Sequence, residues 1–121
     1  MKKFSQPYHK LLVWQRSDEF VKLVYRHTAG FPVDEKFGAT SQLRRAALSI
    51  PLNIVEGQGR ATTKDYIRFL RMSRGSCSEC AYLLEFAFSV NYLNQSHYEQ
   101  LEEKRREVNF LLQRLIKGLS N

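Results

Sequence analysis

The sequence is poor in everything that interrupts or staples a chain. Its 121 residues include only three prolines and six glycines, too few for an all-β domain whose short strands need frequent turns. Cysteine occurs twice, as Cys77 and Cys80, which makes no disulfide framework. No stretch approaches the roughly 20 consecutive apolar residues of a membrane helix. The opening MKKFSQPYHK carries two lysines but neither the apolar segment nor the small-residue cleavage site of a secretory signal. These absences point to a soluble cytoplasmic protein with no membrane partner. No segment alternates apolar and polar residues as a half-buried strand would, and no internal repeat or low-complexity tract interrupts the chain.

What is present is helical periodicity. At 43% hydrophobic the chain can build a core, and a domain of this length buries roughly two-thirds of its unfolded surface. We read residues 1–10 as a flexible polar lead and 11–121 as one domain. A first helix is expected from about Leu11 to Thr28, with Trp14, Val21, Val24, Tyr25 and Thr28 near one face, stopped by Gly30 and Pro32. A second runs from about Glu35 to Gly57. There Leu43, Ala47, Ile50 and Ile54 recur at helical steps, Pro51 sits inside, and Gly57 and Gly59 offer the positive φ that ends a helix. Thr62 and Asp65 resemble a capping box and open a third helix, about Thr63 to Asn91. Its core stripe is Tyr66, Phe69, Leu70, Ser73, Cys77, Cys80, Leu84, Ala87 and Phe88. Leu83, Phe86 and Val90 widen that stripe beyond one seam, which suggests a subunit contact. Ser96 to Glu99 is a full capping-box pattern for a fourth helix, with a seam from Leu101 to Leu119 and a solvated charged patch from Glu102 to Glu107. Four helices with short loops predict an all-α, up-down-up-down antiparallel four-helix bundle.

The net charge of +7 is unevenly placed. Lys36 to Arg74 holds eight Lys/Arg against Glu56 and Asp65, a net of +6, whereas Gly75 to Glu103 holds five acids and no Lys or Arg, a net of −5. A solvated surface would intersperse the signs, so the basic zone reads as a polyanion contact, with Arg44, Arg45, Arg60, Lys64, Arg68 and Arg71 as the candidate nucleic-acid-binding residues. Arginine suits phosphate because its planar fork bonds two oxygens at once. A competing use is intermolecular, the basic face of one subunit meeting the acidic face of the next.

No constellation supports catalysis. Cys77-Ser78-Glu79-Cys80 is a C-x-x-C, but both cysteines fall on a core stripe in mid-helix, away from the helix N-terminus that would stabilise a thiolate, so packing is the reading. His9, His27 and His97 show no ligand spacing, and the serines have no base partner. Gly57-Gln58-Gly59-Arg60 is too short for a phosphate-cradling loop and follows no strand. Glu56 projects on the Arg45 side of its helix and can pair with an arginine. Trp14 and the tyrosines, at helical spacing, read as core or interface rather than as base-stacking platforms. No enzyme activity, cofactor or metal is expected.

Leu12-Val13-Trp14-Gln15, Phe31-Pro32, Phe37-Gly38, the run Gln42-x-Arg44-Arg45-Ala46-Ala47-x-Ser49-Ile50-Pro51-x-Asn53-Ile54-x-Glu56-Gly57-x-Gly59-Arg60, Phe69-Leu70 and Gly75-Ser76 follow in one order. That order strongly resembles the bacterial four-helix-bundle family of proteins encoded in 23S rRNA intervening sequences. The resemblance covers nearly the whole chain. It implies assembly into a homopentameric ring and kinship with the accessory variability determinant, the nucleic-acid-binding partner of the reverse transcriptase in diversity-generating retroelements. Family patterns carry leucine near Cys77 and Cys80, so the chain departs there, which favours packing. The expected function is a non-enzymatic, oligomeric, basic bundle that binds RNA or DNA through phosphates. The alternative is an interaction scaffold whose basic face docks a protein such as a reverse transcriptase.

Overall fold

The computed structural model describes residues 6–120. Among them are four α-helices and no strand: α1 (Leu12–Thr28), α2 (Ala39–Gln58), α3 (Thr63–Ser89) and α4 (Gln95–Ser120). Each helix packs on its neighbour in the chain and α1 also packs on α4, whereas α1 and α3, and α2 and α4, make no such contact among the described residues. This is the neighbour pattern of a four-helix bundle. Its axis is filled by Phe20 and Val24, by Leu43, Ile50 and Ile54, by Leu70, Cys77 and Leu84, and by Leu101, Val108 and Leu112, all fully buried.

The periodicity of α2 translates directly into packing, since Leu43, Ala47, Ile50 and Ile54 are all buried. In α3 the stripe from Phe69 to Ala87 is buried, while Tyr66 is only half-buried and Phe88 is exposed and stacks on Tyr98 at 4.7 Å. The inward face of α1 is rotated from the expected one. It consists of Val13, Ser17, Phe20, Val21, Val24 and Thr28, whereas Trp14 is half-buried and Tyr25 exposed. The polar members are buried at little cost because their hydroxyls are satisfied within the helix. Ser17 Oγ donates to the Trp14 carbonyl at 2.8 Å, and Thr28 Oγ1 to the Val24 carbonyl at 2.8 Å.

Four boundaries differ from the sequence reading, each for a local reason. The second helix starts at Ala39, not Glu35, because Val33–Glu35 forms a separate 3₁₀ turn. Glu35 instead faces the helix start, its carboxylate accepting from the Ala39 N–H at 3.2 Å and the Tyr92 hydroxyl at 2.6 Å. Gly57 and Gly59 do not adopt positive φ. Gly57 is required for close approach: a Cβ there would lie 2.8 Å from Phe69 Cβ and 2.9 Å from Tyr66 Cδ1. The fourth helix is capped by Asn94, whose Oδ1 accepts from the His97 N–H at 2.7 Å, and Ser96 falls inside its first turn. Within the segment read as a lead, Pro7–Lys10 makes a 3₁₀ turn against α1 and α2, while residues 1–5 lie outside the described residues.

Glu102 is also not solvated as expected for its charged run. It is buried, and its carboxylate accepts two hydrogen bonds from the Arg105 guanidinium and pairs with Arg106 at 3.2 Å. The Arg105 bonds hold the Glu102 carboxyl below the usual carboxylate range, against the opposing effect of burial. Cys77 and Cys80 are both fully buried. Burial pushes the Cys77 thiol up to about 12 and the Cys80 thiol up further in the same direction. Both therefore stay neutral thiols that pack as small apolar side chains.

Candidate nucleic-acid interface

The basic residues that come together do so where α2 hands over to α3. Gly57 lets α3 approach closely enough for Phe69 to seat under the exit of α2. Two guanidiniums then flank that ring, Arg60 from the exit turn and Arg68 from the first turns of α3, each 4.5 Å from the Phe69 centroid. Arginine over an aromatic face is attractive through the ring quadrupole. Each arginine also touches one carboxylate: Arg60 meets Glu56 at 3.0 Å, and Arg68 meets Asp65 at 3.0 Å. Their side chains remain about half exposed, at 41% and 59%, so these pairs are solvent-screened and contribute at most about 1 kcal/mol each. They orient the guanidiniums and leave donor faces open to a second anion.

The start of α3 is fixed by Thr62, whose Oγ1 accepts from the Asp65 N–H at 3.1 Å. The reciprocal half of the capping box is absent, because Asp65 turns to Arg68 instead. One turn on, Lys64, Arg68 and Arg71 stand on one face and line an open depression of about 350 Å³ together with Thr62 and Asp65. Lys64, Arg68, Arg71 and, through Phe69, Arg60 thus form one constellation.

Arg44 and Arg45 do not join it. Successive helix residues diverge by about 100°, so the two point to opposite neighbours. Arg44 turns to α1: its Nε donates to Thr28 Oγ1 at 2.8 Å, an Nη donates to the Tyr25 carbonyl at 3.3 Å, and the guanidinium stacks on the Tyr25 ring at 4.5 Å. It ties α2 to α1. Arg45 turns toward α3 and lines a separate depression of about 330 Å³ with Gln42, Ser49 and the acidic Glu79. Glu56, which projected toward Arg45, pairs with Arg60 one turn further on. Asn53 Nδ2 donates to the Ser49 carbonyl at 2.9 Å within α2.

Two residues of the neighbourhood are not legible as functional from the sequence. Phe69 reads as core and is core, yet its ring also seats two arginines; an aromatic next to a basic residue at the start of a helix is the only available signal. Arg74 reads as one more surface charge, but it is half-buried on α3, with its Nε out of solvent and without a hydrogen-bond partner among the described residues. Chemically the constellation offers cationic donors and helix N–H groups, which bind anions. Among the described residues no group of three His, Cys, Asp or Glu side chains converges as metal ligands, and no helix is long and apolar enough to cross a membrane.

The family model for the 23S rRNA-intervening sequence protein matches residues 9–114. The chain is similar to a solved structure of a protein of unknown function from the S23 ribosomal protein family of Bacteroides thetaiotaomicron VPI-5482. The TM-score is 0.80 and the identity 27%, over 88% of this chain and 99% of that one. No curated protein matches. The chain belongs to the 23S rRNA-intervening sequence protein family.

Proposed function

We propose that this family member is a non-enzymatic, oligomeric, basic bundle that binds nucleic acid through phosphate contacts. The observation that carries the reading is the open depression at the start of α3, where Lys64, Arg68 and Arg71 converge beside Arg60. Arg45 is a peripheral contact, and Arg44 contributes less because its guanidinium is committed to Thr28 and Tyr25. Three or four phosphate contacts read no base sequence and make binding salt-dependent.

We take the bundle as up-down-up-down antiparallel. Support comes from partner pairs whose numbers run in opposite directions: Ser49 with Ser76 and Gly57 with Tyr66 for α2 and α3, and Arg16 with Glu107 and His27 with Gln100 for α1 and α4. The pentameric ring is what the family resemblance implies; self-association is supported by exposed apolar side chains, Leu48 and Leu52 on α2, Tyr82 and Phe86 on α3, and Val90 just past its end. The same exposed leucines beside Arg45 favour the second reading, a scaffold that docks a protein such as a retroelement reverse transcriptase; a reverse-transcriptase gene and template repeat beside this gene would favour it.

The test is fluorescence anisotropy of labelled RNA and DNA across a salt series, with the protein's mass measured in parallel. Affinity should fall on the order of 10²-fold between 50 and 200 mM salt. Arg68→Glu with Arg71→Glu should abolish binding while helicity and mass are kept. Lys64→Glu, whose side chain is exposed, should weaken binding without touching the Phe69 packing. Binding unaffected by the double reversal overturns this site.

A further inference from the structure

The aromatic residues near the start of the chain build a second, non-cationic feature. The Pro7–Lys10 turn folds back on α1 so that three rings meet: Tyr8 and Trp14 centroids are 5.0 Å apart, His9 and Trp14 4.8 Å, and Tyr8 and His9 4.5 Å. The turn is held in place before any ligand arrives. The Leu11 N–H donates to the Tyr8 carbonyl at 3.0 Å, and Gln15 Nε2 donates to the His9 carbonyl at 2.6 Å. Trp14 rests on the core, yet Tyr8, His9 and Trp14 all stay half-buried, so the cluster keeps an open side. That side is an open depression of about 530 Å³, completed by Asp18 and Lys22.

The rings meet edge to face, at 53° to 72°, so their faces do not all close on one another and the held cluster is a preorganised shelf of tilted rings. The polar residues at its rim say what fits. Lys22 and Asp18 are paired at 2.7 Å, with Lys22 largely exposed. A cationic ligand would meet the lysine and find the carboxylate already neutralised. The exposed lysine beside the rings suits a flat ring that carries a phosphate, with the ring stacked on an aromatic face and the phosphate at Lys22.

We infer that the Tyr8–His9–Trp14 shelf takes an unpaired base of a single-stranded nucleic acid. The inference rests on the nucleic-acid reading above and deepens it, because it selects single strands, whose bases are free to stack, over duplexes. The turn that bears Tyr8 touches α2 as well as α1. On the antiparallel reading the shelf lies at the end of the bundle where α2 exits toward Arg60 and the α3 depression.

Trp14 is the only tryptophan in the chain, so its emission reports this site alone. The experiment titrates the full chain at low salt with an end-labelled oligouridylate single strand and, separately, with an RNA duplex, reading anisotropy and Trp14 emission together. The single strand should quench Trp14 with the same midpoint as the anisotropy change, and the duplex should bind without quenching. Tyr8→Ala, placed in the turn outside the four helices, should lower single-strand affinity about tenfold and leave duplex affinity unchanged, while Tyr8→Phe retains both. Single-strand binding with unchanged emission, or a Tyr8→Ala protein that binds the strand as well as the parent, overturns the shelf and leaves the phosphate reading standing. No binding of either probe overturns both.

Discussion

Glu102 shows how much one residue can depend on partners outside its own local pattern. In the sequence it opens a run of six charges, and such a run belongs in water; in the structure it is buried because Arg105 and Arg106, one turn on, close over it. A carboxylate held below its unfolded pKa of about 4.3 contributes stability that is complete above that value and is lost as the pH falls through the folded one. Glu102→Gln should therefore cost about 1–3 kcal/mol at pH 7, where Arg105 loses its buried partner. It should also flatten the decline of stability between pH 5 and 3. Urea denaturation at both ends of that window checks it, and a parent-like slope in the variant would show that the pair does not carry the acid sensitivity. The cysteines are the opposite case. Their placement on a core stripe was legible from spacing, because an apolar environment is all a neutral thiol requires.

The helices differ in how openly the sequence declares them. The start of α3 follows from Thr62 and Asp65, since a threonine three residues before an acid caps only in one register. Replacing Thr62 by Ala removes the acceptor for the Asp65 N–H and should destabilise the protein by about 1 kcal/mol in thermal or chemical unfolding, with Thr62→Ser close to the parent. The start of α4 was less legible because Asn94 and Ser96 are both good caps. The choice is made by the preceding turn, where Asn91 adopts φ 66° and the chain enters two residues earlier than the Ser96 pattern suggests. The face of α1 differs from the expected one for a related reason. Trp14 and Tyr25 are more hydrophobic than Ser17, but the Ser17 hydroxyl is satisfied within its own helix and can be buried beside Phe20, while the two rings lie at the rim. That displacement is what leaves Trp14 available to the shelf, and it leaves Tyr25 as the surface on which Arg44 stacks.

At the scale of the whole molecule, helix number and the stripes of α2 and α3 were legible because burying one face of a helix imposes a 3.6-residue period on its apolar residues. The binding site was legible only as a charge zone. Which arginine faces solvent depends on which neighbour each helix face meets, so Arg44 and Arg45 part while Arg60 and Arg68 meet across Phe69. The surface left over carries its own argument. Leu48 and Leu52 on α2 and Tyr82 and Phe86 on α3, with Val90 just past its end, are different patches, so a contact in which one patch meets the other is heterologous, and a heterologous contact closes into a ring when its rotation permits. The proposed ring predicts a mass near five times 14.2 kDa in light scattering. Leu52→Glu combined with Phe86→Glu should bring the mass toward that of one chain with helicity retained, because both side chains are exposed in the single chain and a charge there costs the fold little. A ring also multiplies the basic depressions, so the dissociated variant should bind nucleic acid more weakly and with a shallower salt dependence than the parent. A parent protein that already runs at the mass of one chain would remove the ring and leave the α3 depression to bind alone.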